Sequence, residues 1–424
     1  MSQSVDLENA LFILRTSLNN LQIAIESFES PVLTVSKNIY QNLTTGQILS
    51  LEKSFLTRAN GLKIDLGKLN NQLSIANNIE DLLILQHNIQ DLSNRYFLSE
   101  KVFDYYVDLL HTRSEKGMGK ILKGCDQIAT ASLKLALERL GYEVPHVICH
   151  LDAGQGAAII AAGIYLWDYQ LNPAALIKVV RVAIPFPRLT SILHECGHQV
   201  AKMTGWNEEL AAVLYSSIIS AGYSKELAKH WSSCASELAA DFYSLSQSNF
   251  ASVVGLSEVL LGSANTMFTF IDNDPHPIGW SRIMLGIAAC RTVLGGGPWN
   301  DYDRALDTLF PLEMAQPKSA KIIMESQPLL GFLCKTILNT KMDCFSGRSL
   351  IEILPWDRVS PTSIKNFLNK DQSDFSASPD VLMKNPILVL TCFRYIQMFG
   401  GRSQKWLTDK MRNWLISLSL IPEH

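Results

Sequence analysis

Eight cysteines are spread through the 424 residues, at Cys125, Cys149, Cys196, Cys234, Cys290, Cys334, Cys344 and Cys392, and no two form a C-x-x-C pair. That spacing leaves no zinc knuckle and argues against a disulfide framework, so a reducing compartment is expected. Long apolar runs are also missing. The two greasiest stretches, residues 156–167 and 210–219, fall short of the ~20 residues that cross a bilayer, so no transmembrane segment is expected. The N-terminus, Met1-Ser2-Gln3-Ser4-Val5-Asp6, lacks the apolar core of a cleavable signal. The expectation is a cytoplasmic protein, with export by a route that needs no cleavable signal left open. Neither charge dominates: Lys+Arg total 37 against Asp+Glu 40, a net charge of −3. Without a basic block, a nucleic-acid partner is not expected. Gly154 and Gly156 make neither a dinucleotide fingerprint nor a phosphate loop, because the further glycine or the Gly-Lys-Ser/Thr ending is absent. Close backbone packing explains them better.

What the chain does have is apolar content, 47% of residues, enough for a sizeable core and two or three domains. Three regions are expected. Residues 1–141 read as helical: Leu62, Leu66, Leu69 and Leu73 repeat at three and four, followed by Ile79, Leu82 and Leu83. Asn60-Gly61 looks like a break between helices and Gly141 a stop after Leu140. This region would bind a partner, oligomerise or cover the neighbouring domain; His87 and His111 read as surface or packing residues. Residues 142–297 are richer in small and β-branched residues, with a strand expected over 176–184, ended by Pro185 and Pro187. Residues 298–424, after Gly295-Gly296-Gly297-Pro298, read as mainly helical, interrupted by a polar, Pro- and Ser-rich segment over 357–386.

The chemistry concentrates in His194-Glu195-Cys196-Gly197-His198, which spells H-E-x-x-H. Residues four apart on a helix lie about 40° apart around its axis, so two imidazoles can converge on one zinc while the glutamate reaches the neighbouring water. A helix over 188–203, stopped by Gly205, puts Leu189, Ile192, Leu193, Cys196, Val200 and Met203 on one face and His194 and His198 on the other. Gly197 and Ala201 would leave room for the metal, and Cys196, facing the core, would be inert. Zinc needs a third protein ligand. Glu237, on a helix expected over 231–246, is the leading candidate, with Glu208, Glu209, Glu226 and His230 as competitors. Asp241, one turn on, could fix the tautomer of a ligand histidine, while Ala239 and Ala240 would let two helices approach closely. His276-Pro277 would place a histidine at the mouth of a helix beginning at Pro277, able to donate to an oxygen gaining charge. Arg282 could pair with a carboxylate and brace that segment.

In this order, H-E-x-x-H, E-x-x-x-D and H-P-x-x-x-x-R resemble the zincin superfamily. The closest pattern is its glutamate-ligand (gluzincin) branch, the zinc endopeptidases related to the CAAX prenyl protease and the bacterial heat-shock protease of that family. The likeness covers about residues 176–285. It implies that His194, His198 and Glu237 bind Zn2+, that Glu195 is the base, that Asp241 supports a ligand, and that His276 and Arg282 are structural or substrate-facing. The fold it implies is mainly α, a zincin-like α+β metallopeptidase core with a small sheet, flanked by helical regions. The expected activity is zinc-dependent hydrolysis of a peptide or protein substrate, with residues 176–184 as the sheet edge that receives it. The alternative is a noncatalytic zincin-like scaffold or interaction module with a structural zinc.

Overall fold

The computed structural model describes residues 2–421 except 116, 155, 185–187, 273 and 371–383. The sequence segment 357–386 therefore lies partly outside the described residues. Helices of nine residues or more are numbered here in chain order. The chain divides into two units: Met1–Gly119 with Ala162–Ala174, and Lys120–Ala161 with Ala175–Pro422.

In the first unit, α1 (Ser2–Glu26), α2 (Thr45–Ile75) and α3 (Ile79–His111) pack around one core. Leu18, Leu21 and Ile25 of α1 meet Leu62, Leu66 and Leu69 of α2 and Leu85, Ile89 and Leu92 of α3. The leucine stripe thus faces the core, although Ile79 and Leu83 are exposed. The expected break at Asn60-Gly61 does not occur. Gly61 sits inside α2 with open space around it, and Phe55, Ala59, Leu62 and Leu66 stay buried at helical spacing across it. That burial exceeds the ~1 kcal/mol cost of a helical glycine. The chain turns further on, where the Asn78 side chain accepts from the backbone of Asp81 and caps α3. Residues 162–174 add a small hairpin to this unit, bridged at Tyr165 and Leu171. The buried ion pair of Asp168 with Arg58 anchors its turn, and the Tyr106 hydroxyl on Asn172 anchors its base.

The second unit carries a three-stranded mixed sheet in the order β1 (Val147–Asp152), β3 (Ala175–Val180), β2 (Ala158–Ile160). β1 and β3 run parallel from Val147↔Ala175 to Asp152↔Val180, whereas β2 runs antiparallel to β3. The strand expected to run to 184 ends at Val180, opposite the last residue of β1, where its ladder partner ends. β3 is the central strand and not an edge; β2 is the edge next to it.

Helices flank the sheet: α4 (Met118–Leu140), α5 (Thr190–Thr204), α6 (Trp206–Ser220), α7 (Lys225–Ser233), α8 (Ala235–Ser248), α9 (Phe250–Leu260) and α10 (Gly279–Leu294). Then come α11 (Trp299–Leu309), α12 (Pro317–Ser326), α13 (Leu330–Asn339), α14 (Pro361–Lys370), α15 (Pro386–Phe399) and α16 (Gln404–Leu418). Gly141, Gly205 and Gly295, at φ of 79°, 78° and 76°, sit just past the ends of α4, α5 and α10 at positive φ, Gly205 as a left-handed cap. The molecule is mainly α-helical with a small mixed sheet, an arrangement that matches a zincin-like α+β core. None of its described helices is long and apolar enough to cross a membrane. No disulfide joins any of the eight cysteines, and all but Cys344 are buried.

Candidate metal centre

α5 starts at Thr190, two residues later than its sequence pattern suggests, and buries Ile192, Leu193, Cys196 and Val200. His194 and His198 lie on its other flank with side chains 18% and 19% exposed. Gly197 does not make room for a metal. A Cβ there would stand 2.6 Å from Cα of Ala240 and 3.0 Å from Cβ of Tyr243, so the glycine exists to let α5 and α8 touch backbone to backbone. Ala240, wholly buried, forms that seam, and its neighbour Ala239 is wholly buried as well. Cys196 turns inward, its thiol on the carbonyl of Ala129 and its pKa pushed up by burial. Nothing about it suits a nucleophile.

The helix expected over 231–246 is broken at Cys234 into α7 and α8. α8 brings Glu237 to both histidines. Its Oε2 is 3.4 Å from Nε2 of His194, its Oε1 is 3.3 Å from Nε2 of His198, and the two Nε2 atoms are 3.1 Å apart. Ligands at about 2.0–2.1 Å from a tetrahedral zinc stand roughly 3.3–3.4 Å from one another. The two ring nitrogens and the carboxylate stand near that spacing, each histidine nearest a different carboxylate oxygen, and among the described residues they form the one His/Cys/Asp/Glu group able to hold a metal, with one donor atom from each within 4.8 Å of the others. Nδ1 of His194 meets Oδ1 of Asp241 at 2.9 Å, which leaves Nε2 free to ligate. Ser236 faces Nδ1 of His198 in the same way at 3.5 Å. The cluster is consistent with a zincin-type metal-binding triad.

Its charge favours a cation. Glu195, 6% exposed, Glu237, 7% exposed, and the half-buried Asp241 face one buried guanidinium, Arg282, so carboxylates outnumber the arginine. Arg282 spans Asp241 and Glu237, with Nη2 2.8 Å from an oxygen of each. Burial works against charge on His194, but the hydrogen bonds it donates to Asp241 and then Glu237 outweigh it and lift its pKa to about 9. Burial likewise raises Glu195, against the pull of His194 and His198. Glu237 is shifted the other way: burial opposes its charge, yet His194, His198 and Arg282 hold the carboxyl well below its usual range. A divalent ion suits this donor set and this charge.

The competing ligands are occupied elsewhere or lie outside the cluster. Glu209 accepts backbone N–H bonds from Asp343 and Cys344. His230 packs edge-on against Trp231 and Phe270. Glu208 and Glu226 are exposed and belong to no such group among the described residues.

His276 stands at the rim, 58% exposed, with Nε2 3.5 Å from Oε1 of Glu237. The helix after it begins at Gly279, not Pro277. Two neighbours escaped the sequence reading, Ser236 and Asp274. Asp274 was findable, since an Asp two residues before a residue readily bonds that residue's backbone N–H. Ser236 carried no signal beyond adjacency to Glu237. Comparison with models of protein families, with curated proteins and with solved structures finds no match.

Proposed function

We propose that the protein is a zinc-dependent peptidase. The observation that carries this reading is the convergence of Nε2 of His194, Nε2 of His198 and the Glu237 carboxylate, with Glu195 buried beside them. A zinc ion held by these three residues would acidify water and polarise a carbonyl oxygen. Glu195 takes the proton as water oxygen bonds to the scissile carbonyl carbon, and delivers it to the amine as the C–N bond breaks. Its raised pKa brings it closer to neutrality, where a group that both takes and gives a proton works best. Asp241 holds the ring of His194, and Arg282 clamps Glu237 and Asp241 from one side. His276 offers Nε2 to the oxygen that gains charge. An extended substrate would lie on β2, the edge strand that packs against α5, and not on β3.

The test is metal content and cleavage of quenched-fluorescent peptides on wild type and Glu195→Gln. One zinc per chain in both, with turnover reduced about 10²–10⁴-fold in the variant, is the expected result. Zinc in both with no cleavage by wild type would favour the scaffold reading. Failure of metal-replete wild type to retain zinc would sink the proposal.

A further inference from the structure

A cavity of about 300 Å³ lies at the C-terminal end of α8, away from the candidate metal ligands. Gln247, which lines it, stands about 15 Å along the helix from Glu237. Leu135, Leu354, Val359 and Ile387 give it apolar walls. Three polar features line this apolar space with their bonding unfinished. Gln247 is 3% exposed, yet neither its amide nitrogen nor its amide oxygen has a hydrogen-bond partner. The Tyr243 hydroxyl near it already donates to the carbonyl of Ser132. α15 begins at Pro386, and the N–H groups of Ile387 and Leu388 in its first turn have no intrahelical acceptor. Asn385, just before, makes no side-chain cap. Arg358 and Lys384 are exposed at the mouth, and among the described residues neither side chain makes an ion pair. Asp357 receives the backbone N–H of Arg358, and Arg139 adds a further positive charge beside it.

We propose that this cavity binds an apolar amino-acid residue with a free carboxylate and an acylated nitrogen, alone or at the end of a peptide. Each part of such a ligand answers one feature of the site. Its carboxylate accepts from the open first turn of α15 and pairs with Arg358 and Lys384. Its amide supplies one N–H and one C=O, the two partners that the Gln247 carboxamide lacks: the side-chain oxygen takes the N–H and the side-chain nitrogen gives to the C=O. An aliphatic side chain displaces water from the walls. An inorganic anion would answer the first feature alone, and a hydrocarbon the last alone. The volume sits at the small end of ligand pockets, which suits one or two residues and no more. Nothing in this assignment depends on the peptidase reading.

The test is calorimetric titration of the full chain, with and without zinc, using N-acetyl-L-leucine. Saturable binding at one site per chain is expected. It should weaken about tenfold when the carboxylate is amidated, and by as much in the double variant Arg358→Ala with Lys384→Ala. 4-Methylpentanoate, which lacks the amide, should bind wild type more weakly than N-acetyl-leucine but Gln247→Leu equally well. That variant removes an unpaired buried amide, so the denaturant midpoint of the empty protein should hold or rise. N-acetyl-Ala-Ala-Leu binding as tightly as N-acetyl-leucine assigns the site to peptide ends, and weaker binding assigns it to the single residue. No saturable binding up to millimolar concentration overturns the proposal, as does inorganic phosphate binding equally well. Binding that survives the double variant and disappears in Glu237→Ala also overturns it, by placing the probe on the metal ligands.

Discussion

At the scale of single residues, the site was legible wherever chemistry sets the spacing. His194, His198 and Glu237 come together in one cluster that could hold a metal, as a pair of histidines one helical turn apart and a third donor on a facing helix allow. The meaning of Gly197 was not legible. Sequence offers it as empty space, but what fills that space is the backbone of α8, which no local pattern reveals. Gly197→Ala should therefore cost about 1–3 kcal/mol in urea unfolding, and should weaken zinc binding in a competition titration by moving the ligand helices apart. Wild-type stability with wild-type affinity would show that the seam tolerates a methyl group. His230 supplies a pH effect away from the metal. Burial lowers its pKa from 6.5 to about 4, and its Nε2 has no hydrogen-bond partner. The folded state thus binds this proton less readily than the unfolded chain. The contribution is complete above about pH 6.5 and is lost as pH falls towards 4, by up to about 3 kcal/mol. In His230→Phe, denaturant midpoints measured across that window should fall less steeply than in wild type.

At the scale of elements, strong periodicity was reliable and punctuation was not. Gly205 ends α5 as its sequence indicates, since a left-handed position after a helix suits glycine above other residues. Gly61 carries the same letter and ends nothing, because the apolar stripe of α2 continues across it. The real turn is made by Asn78 capping α3, and Asn78→Ala should cost about 1 kcal/mol by urea unfolding. A loss as small as that of an ordinary surface substitution would remove the cap from the account. The sheet order was beyond the sequence altogether. β3 is the greasiest strand because it is central, with β1 on one side and β2 on the other. An apolar run marks burial on both faces and says nothing about which strand closes the sheet.

At the scale of the whole molecule, the candidate metal centre lies wholly within the second unit, built on α5, α8 and the approach to α10. Every tryptophan except Trp167 belongs to that unit. A ligand that binds only folded protein stabilises it by about 4 kcal/mol when free at a thousand times its Kd. Tryptophan fluorescence should therefore report a higher unfolding midpoint on adding zinc and a lower one after chelation, with both shifts abolished in Glu237→Ala. A midpoint indifferent to zinc in wild type would separate folding of this unit from the metal.

The backbone contact at Gly197 and Ala240 bears on which ions the centre can accept. Donors on long side chains over a loose interface can spread to suit whatever arrives. Here the facing helices are already as close as a missing Cβ allows, so the width of the cage is fixed by main-chain packing. Calcium, with bonds of about 2.3–2.6 Å and a need for six to eight oxygens, would have to prise the helices apart. A small, four-coordinate ion would not. The glycine thereby acts as a calliper, making ion selectivity partly a property of helix packing.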